Sequence, residues 1–360
     1  MEKCVPWGRC IWAVTNHHNR CDDQYCNGQA KPQKVERSTY GHAQKIRAAM
    51  THHFGREPTI GNSWWTLRED GSVFGNPSLS HLVSTYMVSL RRRKTRAGEA
   101  PLSARAITPD VLRKLHDFNH MPENWNAQSY APTPRGQKNE TETTSPAGRR
   151  ILQAVYTIAF ACLMRIDEVL NIRVRHVKAL IDSNGEEYMM LTLDFRKTNQ
   201  NGGVKPFCLY RFPAAEAHLC PYRAVSDWVE FSQIHLAGDD TPLFPRLMAN
   251  GRWQVGSQMT GEHLLELMRR NLADVNIDAL EYGTHSFRRG GCQWLSCDKR
   301  WPLRQICDWG GWSTEFSSLT IVKYLISEND DPRERREDYF NPNRPPALRC
   351  FACGRTCSCS

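Results

Sequence analysis

The chain has 360 residues, 40% hydrophobic and 24% charged, enough apolar material to bury the cores of two domains. Lysine and arginine outnumber aspartate and glutamate by 47 to 38, and the resulting +9 favours a polyanionic partner. No run of about eighteen apolar residues is present, and MEKCVPWGRC lacks the apolar stretch of a secretory signal. Neither a membrane association nor export is therefore expected.

Residues 1–37 read as an N-terminal tail holding Cys4, Cys10, Cys21 and Cys26, with His17 and His18 nearby. A second cysteine tail, 346–360, holds Cys350, Cys353, Cys357 and Cys359. Neither spacing matches the common structural zinc patterns, so no metal is expected in them. The other six cysteines sit mostly in apolar segments, as reduced core cysteines do.

From 38 to 120 the pattern is helical: YGHAQKIRAAMTHHFG, then NPSLSHLVSTYMVSLRRRK, then TPDVLRKLHDFNH. The last two open on Asn/Pro/Ser or Thr-Pro start signals. Together they predict a small helical bundle. Between Gly41 and His120 lie 12 basic and 6 acidic side chains, with Arg91, Arg92, Arg93, Lys94 and Arg96 nearly contiguous. Such a cluster suits phosphate contacts or nuclear import, or is simply a solvated helix end. Residues 121–148 are rich in Pro, Asn, Thr and Gly without apolar periodicity, and read as a linker.

A second domain is expected over 149–345. RRILQAVYTIAFACLMRIDEVLNI reads as one long helical stretch. Alternation through Met189, Leu191, Leu193 and Phe195, a turn at Asn199–Gly203 and a second β-rich run predict a hairpin. Helices are expected around Pro221–Ile234, Gly261–Val275, His285–Cys297, Leu303–Asp308 and Ser317–Ser327. The fold class is mainly α with a small β-hairpin or sheet, α+β.

Four charged or polar features stand against their surroundings. Arg165 ends an apolar stretch, and Glu168, three residues on, is placed to pair with it. That pair is either a structural ion pair or an arginine held ready for a phosphate. His285 and Arg288 in THSFRRGG share a helix face, and Gly290 and Gly291 allow another backbone to approach. Lys197, near the hairpin tip, is either solvated or a general acid, with Lys205 on the return strand as the alternative. Tyr324 follows the turn WGGWS within an apolar run, where Leu319, Val322 and Ile326 are placed to anchor its helix.

Taken in order, these groups resemble the tyrosine recombinase (phage-integrase-like) family. CLMRIDEVLNIRVRHV is similar to its first box, with Leu163 where the family usually has glycine. HSFRRG resembles the second box and GGWS the following G-W element. Trp312 to Tyr324 spans twelve positions, about three more than the bacterial pattern. The form of these boxes looks most like Crypton-type recombinases of eukaryotic transposons.

The resemblance implies a helical domain gripping double-stranded DNA followed by a catalytic domain, acting as a homo-oligomer (tetramer) on DNA in the nucleus. It implies that Arg165 and Arg288 clamp the scissile phosphate and that Tyr324 attacks it to give a 3′-phosphotyrosyl link. Lys197 would protonate the leaving 5′-oxygen, His285 would assist proton transfer, and Trp312 would pack or hydrogen-bond at the phosphate. No acidic cluster resembles a two-metal site, so the positive charge must come from the protein, and neither cofactor nor metal is expected. The rival expectations are a domesticated derivative that binds DNA without cutting it and, less favoured, a type IB topoisomerase.

Overall fold

The computed structural model describes residues 20–25, 28–99, 104–126, 144–196, 204–248, 251–313, 321–325 and 342–343. Lys197 and all tail cysteines except Cys21 lie outside them. The chain divides into two compact units, Met1–Leu102 and Ser103–Ser360. Its architecture is α+β, helices with small antiparallel sheets. Among the described residues no helix is long and apolar enough to cross a membrane.

In the first unit, helix α1 (Tyr40–Gly55) starts where the Thr39 hydroxyl accepts from the His42 N–H. A two-stranded ribbon, β1 (Thr66–Leu67) and β2 (Val73–Phe74), follows. Asn76 caps a short 3₁₀ turn, and Ser80 then caps helix α2 (His81–Arg96) by accepting from the Val83 N–H. Val83, Met87 and Leu90 recur at helical spacing and bury against Ala43 and Phe54. Part of the expected N-terminal tail belongs to this core. Cys21 is fully buried, and the Asp22 carboxylate accepts from Tyr86 Oη and Arg93 Nη2, both at 2.7 Å. A polar segment lacking periodicity is thus held by its acid as well as by the burial of Cys21.

The second unit opens with α3 (Pro109–Asn119), capped by Thr108, and a single turn, α4 (Pro122–Trp125). The expected bundle reached His120, yet Val111, Leu112 and Leu115 of α3 bury in the core of this second unit. A polar network accounts for that. Arg149 Nη1 donates to Asn119 Oδ1 and Asp274 Oδ2, both at 2.9 Å, and Asn271 Nδ2 donates to Asn119 Oδ1 at 2.8 Å. Removing one partner would strand a buried guanidinium, a loss of about 3–5 kcal/mol.

Helix α5 (Pro146–Ala161) is the axis of the unit, buried at every position from Ala147 to Ala161. It begins inside the expected linker, capped by the Ser145 hydroxyl. Arg150 ties it to α4 by donating to the Trp125 carbonyl at 2.5 Å, with its guanidinium over the Trp125 and Phe231 rings. The 121–148 segment is therefore partly structured at both described ends.

The long helix expected from Arg149 is broken. Leu163 takes a left-handed backbone (φ 51) after α5, and a separate helix, α6 (Ile166–Leu170), follows. A three-stranded antiparallel sheet comes next: β3 (Val177–Ile181), β4 (Glu187–Leu191) and β5 (Phe207–Tyr210), in that spatial order. The β4–β5 pairing sets Met189 opposite Leu209 and Leu191 opposite Phe207. All four of these side chains are buried. Then come α7 (Pro221–Ser232), the ribbon β6 (Pro245–Leu247) and β7 (Trp253–Gln258), and α8 (Gly261–Asp274). The last helices among the described residues are α9 (Ser286–Gln293), α10 (Leu303–Gly310) and the one-turn α11 (Val322–Leu325).

Candidate active site

Helix α9 lies close against α5 because it carries Gly290 and Gly291. A Cβ on Gly290 would run into the Ile107 carbonyl, and one on Gly291 into the Phe160 carbonyl. This approach sinks Arg288 into the interior, where its side chain is 1% exposed. Burial draws its pKa down to about 10, so it stays a cation at neutral pH. Nη2 donates to the Gly310 carbonyl at 3.2 Å. Nε and Nη1 are buried without a hydrogen-bond partner among the described residues.

The Gly310 carbonyl belongs to the end of α10, which closes with Gly311 in the left-handed region (φ 71). There the Gly311 N–H donates to Asp308 O and the Trp312 N–H to Cys307 O. The turn folds the Trp312 ring back over Gly310, into the space a Cβ would occupy. Its centroid lies 4.1 Å from Arg288 Cζ. The Trp312 indole N–H is likewise buried and unpaired among the described residues.

Tyr324 completes this wall. Its ring centroid is 5.3 Å from that of Trp312, 6.4 Å from that of His285, and 5.3 Å from Arg288 Cζ. The twelve-position spacing to Trp312 therefore still brings the two rings together. Ile321, 3% exposed, anchors the short helix, whereas Val322 is exposed, contrary to expectation. Leu319 and Ile326 lie outside the described residues. Gln293 Nε2 donates to the Tyr324 and Leu325 carbonyls at 3.5 and 3.4 Å, holding α11 on α9.

Arg165 stands at the start of α6 in an extended conformation. Its backbone N–H donates to Glu168 Oε2 and its Nη1 to Oε1, each at 3.0 Å. The expected pair thus forms by Glu168 folding back on the helix start rather than along one helical face. Burial pulls Glu168 toward protonation, but Arg196, the Arg165 N–H, Arg288 and the Arg165 side chain outweigh it. The net effect leaves its pKa below the ordinary value, and the carboxylate charged. Burial, Arg288 and Arg165 together lower the pKa of His285, leaving a neutral imidazole near pH 7 that can accept a proton.

Arg196 was not anticipated. The alternation expected to place Phe195 inside fails after Leu193, so that Phe195 is 64% exposed and Arg196 3%. Its Nη2 donates to Glu168 Oε2 at 3.3 Å and to the Leu163 carbonyl at 3.4 Å. Only its place beside Lys197 marks it in the sequence. Trp309 was missed too. Its indole N–H donates to the Ala161 carbonyl at 2.8 Å, fixing α10 to the end of α5. Lys205, the alternative to Lys197, is exposed and paired with Asp308 at 3.1 Å.

In the first unit the basic cluster splits. Arg91, Arg92 and Arg96 are exposed and, with Tyr40, Val88 and Thr95, line a depression of about 480 Å³. Arg93 instead pairs with Asp22 at 2.7 Å, and Lys94 is buried within 3.9 Å of Asp23 and 3.8 Å of Glu99. Two of the five expected DNA contacts are thus occupied within the unit's own fold.

No family model matches the chain, and no curated protein matches it either. Among solved structures it is similar to XerH site-specific recombinase bound to difH substrate in a pre-cleavage complex, at 13% identity and a TM-score of 0.44. That match covers 81% of this chain and 63% of the XerH chain, so the chain spans under two thirds of its length. The post-cleavage complex of XerH on palindromic difH gives 12% identity, TM-score 0.47 and coverage of 90% and 69%. The FLP recombinase–Holliday junction complex gives 13%, 0.33, and 68% and 53%.

Proposed function

We propose that this chain is a tyrosine recombinase of the Crypton type, which cuts and rejoins double-stranded DNA in the nucleus as part of a transposable element. The observation that carries this reading is Arg288. A buried, charged guanidinium with two nitrogens that lack a hydrogen-bond partner among the described residues lies against Trp312 and Tyr324, beside the Arg165–Glu168 pair and a neutral His285. Unsatisfied cationic donors in the interior are costly, and a phosphate oxygen would satisfy them.

In this mechanism the scissile phosphate is held by Arg288 and Arg165, with the Trp312 indole N–H as a further donor. The Tyr324 oxygen attacks phosphorus and releases its proton with help from the neutral His285. The bond to the 5′-oxygen breaks, and Lys197 gives that oxygen a proton. The phosphotyrosyl link conserves the energy of the broken bond, so the reverse attack by a 5′-hydroxyl reseals the strand without a nucleotide cofactor. Guanidinium charge stabilises the negative charge that grows on the phosphoryl oxygens. Protomers assemble as a tetramer, and the Arg91, Arg92 and Arg96 face grips the DNA backbone.

The test is a nicked duplex that traps the covalent intermediate. Wild type should give an adduct that survives SDS, with and without EDTA, on DNA bearing the element's ends. Tyr324→Phe should give none while binding DNA as tightly. DNA binding with no adduct on any such end would favour the binding-only derivative. Relaxation of plasmids at no preferred sequence would favour a type IB topoisomerase.

A further inference from the structure

We infer that Arg196 is a positioning residue that keeps Arg288 available to an anion by occupying Glu168. The inference rests on the proposed function only in taking that anion to be a phosphate. One carboxylate here serves three guanidiniums, those of Arg165, Arg196 and Arg288. Glu168 Oε1 accepts from Arg165 Nη1 at 3.0 Å, and Oε2 accepts from the Arg165 N–H at 3.0 Å and Arg196 Nη2 at 3.3 Å. Arg288 Nη1 is left 3.7 Å from Oε2, beyond hydrogen-bond length, and has no other partner among the described residues.

Arg196 is committed to the fold: its Nη2 is shared between Leu163 O and Glu168, and its guanidinium lies 5.7 Å from the centroid of the Phe207 ring. It acts through Glu168. Without it, the lone pair freed on Oε2 would turn to Arg288, whose Nη1 stands 3.7 Å away while Arg165 is already hydrogen-bonded to the carboxylate, and close the donor that an oxyanion needs. The same guanidinium joins the left-handed turn at Leu163 to the segment that follows β4.

The experiment measures orthophosphate binding to the full chain by calorimetry, together with thermal unfolding, for wild type, Arg196→Gln, Arg196→Lys and Arg196→Gln with Glu168→Gln. Wild type should bind phosphate, and Arg196→Gln should weaken binding about tenfold, the scale of one charge-assisted hydrogen bond. Arg196→Lys should fall between them, since an ammonium still reaches Glu168. The double variant should recover to within about threefold of wild type, because the competing carboxylate is gone.

A merely structural role predicts the opposite order, with the double variant weaker than the single one. That result would overturn the inference, as would undiminished binding by Arg196→Gln or no phosphate binding by wild type. Should Arg196→Gln not fold, the comparison of Arg196→Lys with its Glu168→Gln double carries the same sign. The expected phosphate pattern without any DNA adduct would remove the recombinase proposal and leave the role of Arg196 standing.

Discussion

Arg288 and Trp312 meet with the guanidinium carbon 4.1 Å from the ring centroid, and each keeps a buried N–H donor unpaired among the described residues. The contact orients the arginine's fork and adds cation–π attraction in a desolvated site. Arg288→Lys keeps the charge but loses the planar fork, and should slow adduct formation by about tenfold or more. Trp312→Phe keeps a ring face and loses the indole donor, so its effect should be smaller. Single-turnover cleavage at saturating DNA measures both.

The divided basic cluster makes a salt-dependence prediction. Arg91→Ala, Arg92→Ala and Arg96→Ala should each reduce the slope of log binding constant against log salt by about one. Arg93→Ala should leave the slope nearly unchanged and lower the unfolding temperature, because its partner Asp22 is buried. Equal slope changes at all of these positions would mean that the Asp22 pair opens on DNA.

Gly290→Ala places a methyl group against the Ile107 carbonyl, backbone that cannot step aside as a side-chain tip would. The expected destabilisation is about 1–3 kcal/mol, read as a lowered denaturation midpoint. Adduct formation should fall further than folding alone explains, since α9 would be pushed off the segment around Ile107 with Arg288 on it.

Burial holds His120 and His218 neutral in the folded state, each with its pKa lowered to about 4 from the ordinary 6.5. Below pH 6.5 the unfolded chain therefore binds protons that the folded chain refuses, and stability falls until the folded pKa is reached. The melting temperature should drop steadily between about pH 6.5 and pH 4. Histidine-to-glutamine change at 120 should flatten that slope.

The start of α3 was legible because Thr108 and Pro109 form a Thr-Pro start signal, whereas the Ser145 cap of α5 lay inside the expected linker. The residues Arg165, His285, Arg288, Trp312 and Tyr324 were legible as an ordered set, and the structure places them around one centre. The break at Leu163 was not, because leucine carries no turn signal and adopts this backbone at a cost of about 1–2 kcal/mol. Its fully buried side chain and the Arg196 bond to its carbonyl hold the turn instead. Those contacts come from distant chain, and so do the ones that bring α3 into the second unit. Strand β3 was missed as well, since VKALI has neither alternation nor a bounding turn signal strong enough to separate it from its flanks.

Helix α11 has a consequence for exchange with solvent. The N–H groups of Tyr324 and Leu325 both return to the single carbonyl of Ile321, and Gln293 of α9 donates to the Tyr324 and Leu325 carbonyls. A lone turn held this way opens without disturbing the buried axis beneath it. Deuterium should therefore enter at the Tyr324 and Leu325 amides long before it enters those of α5, giving the tyrosine segment its own small free energy of opening.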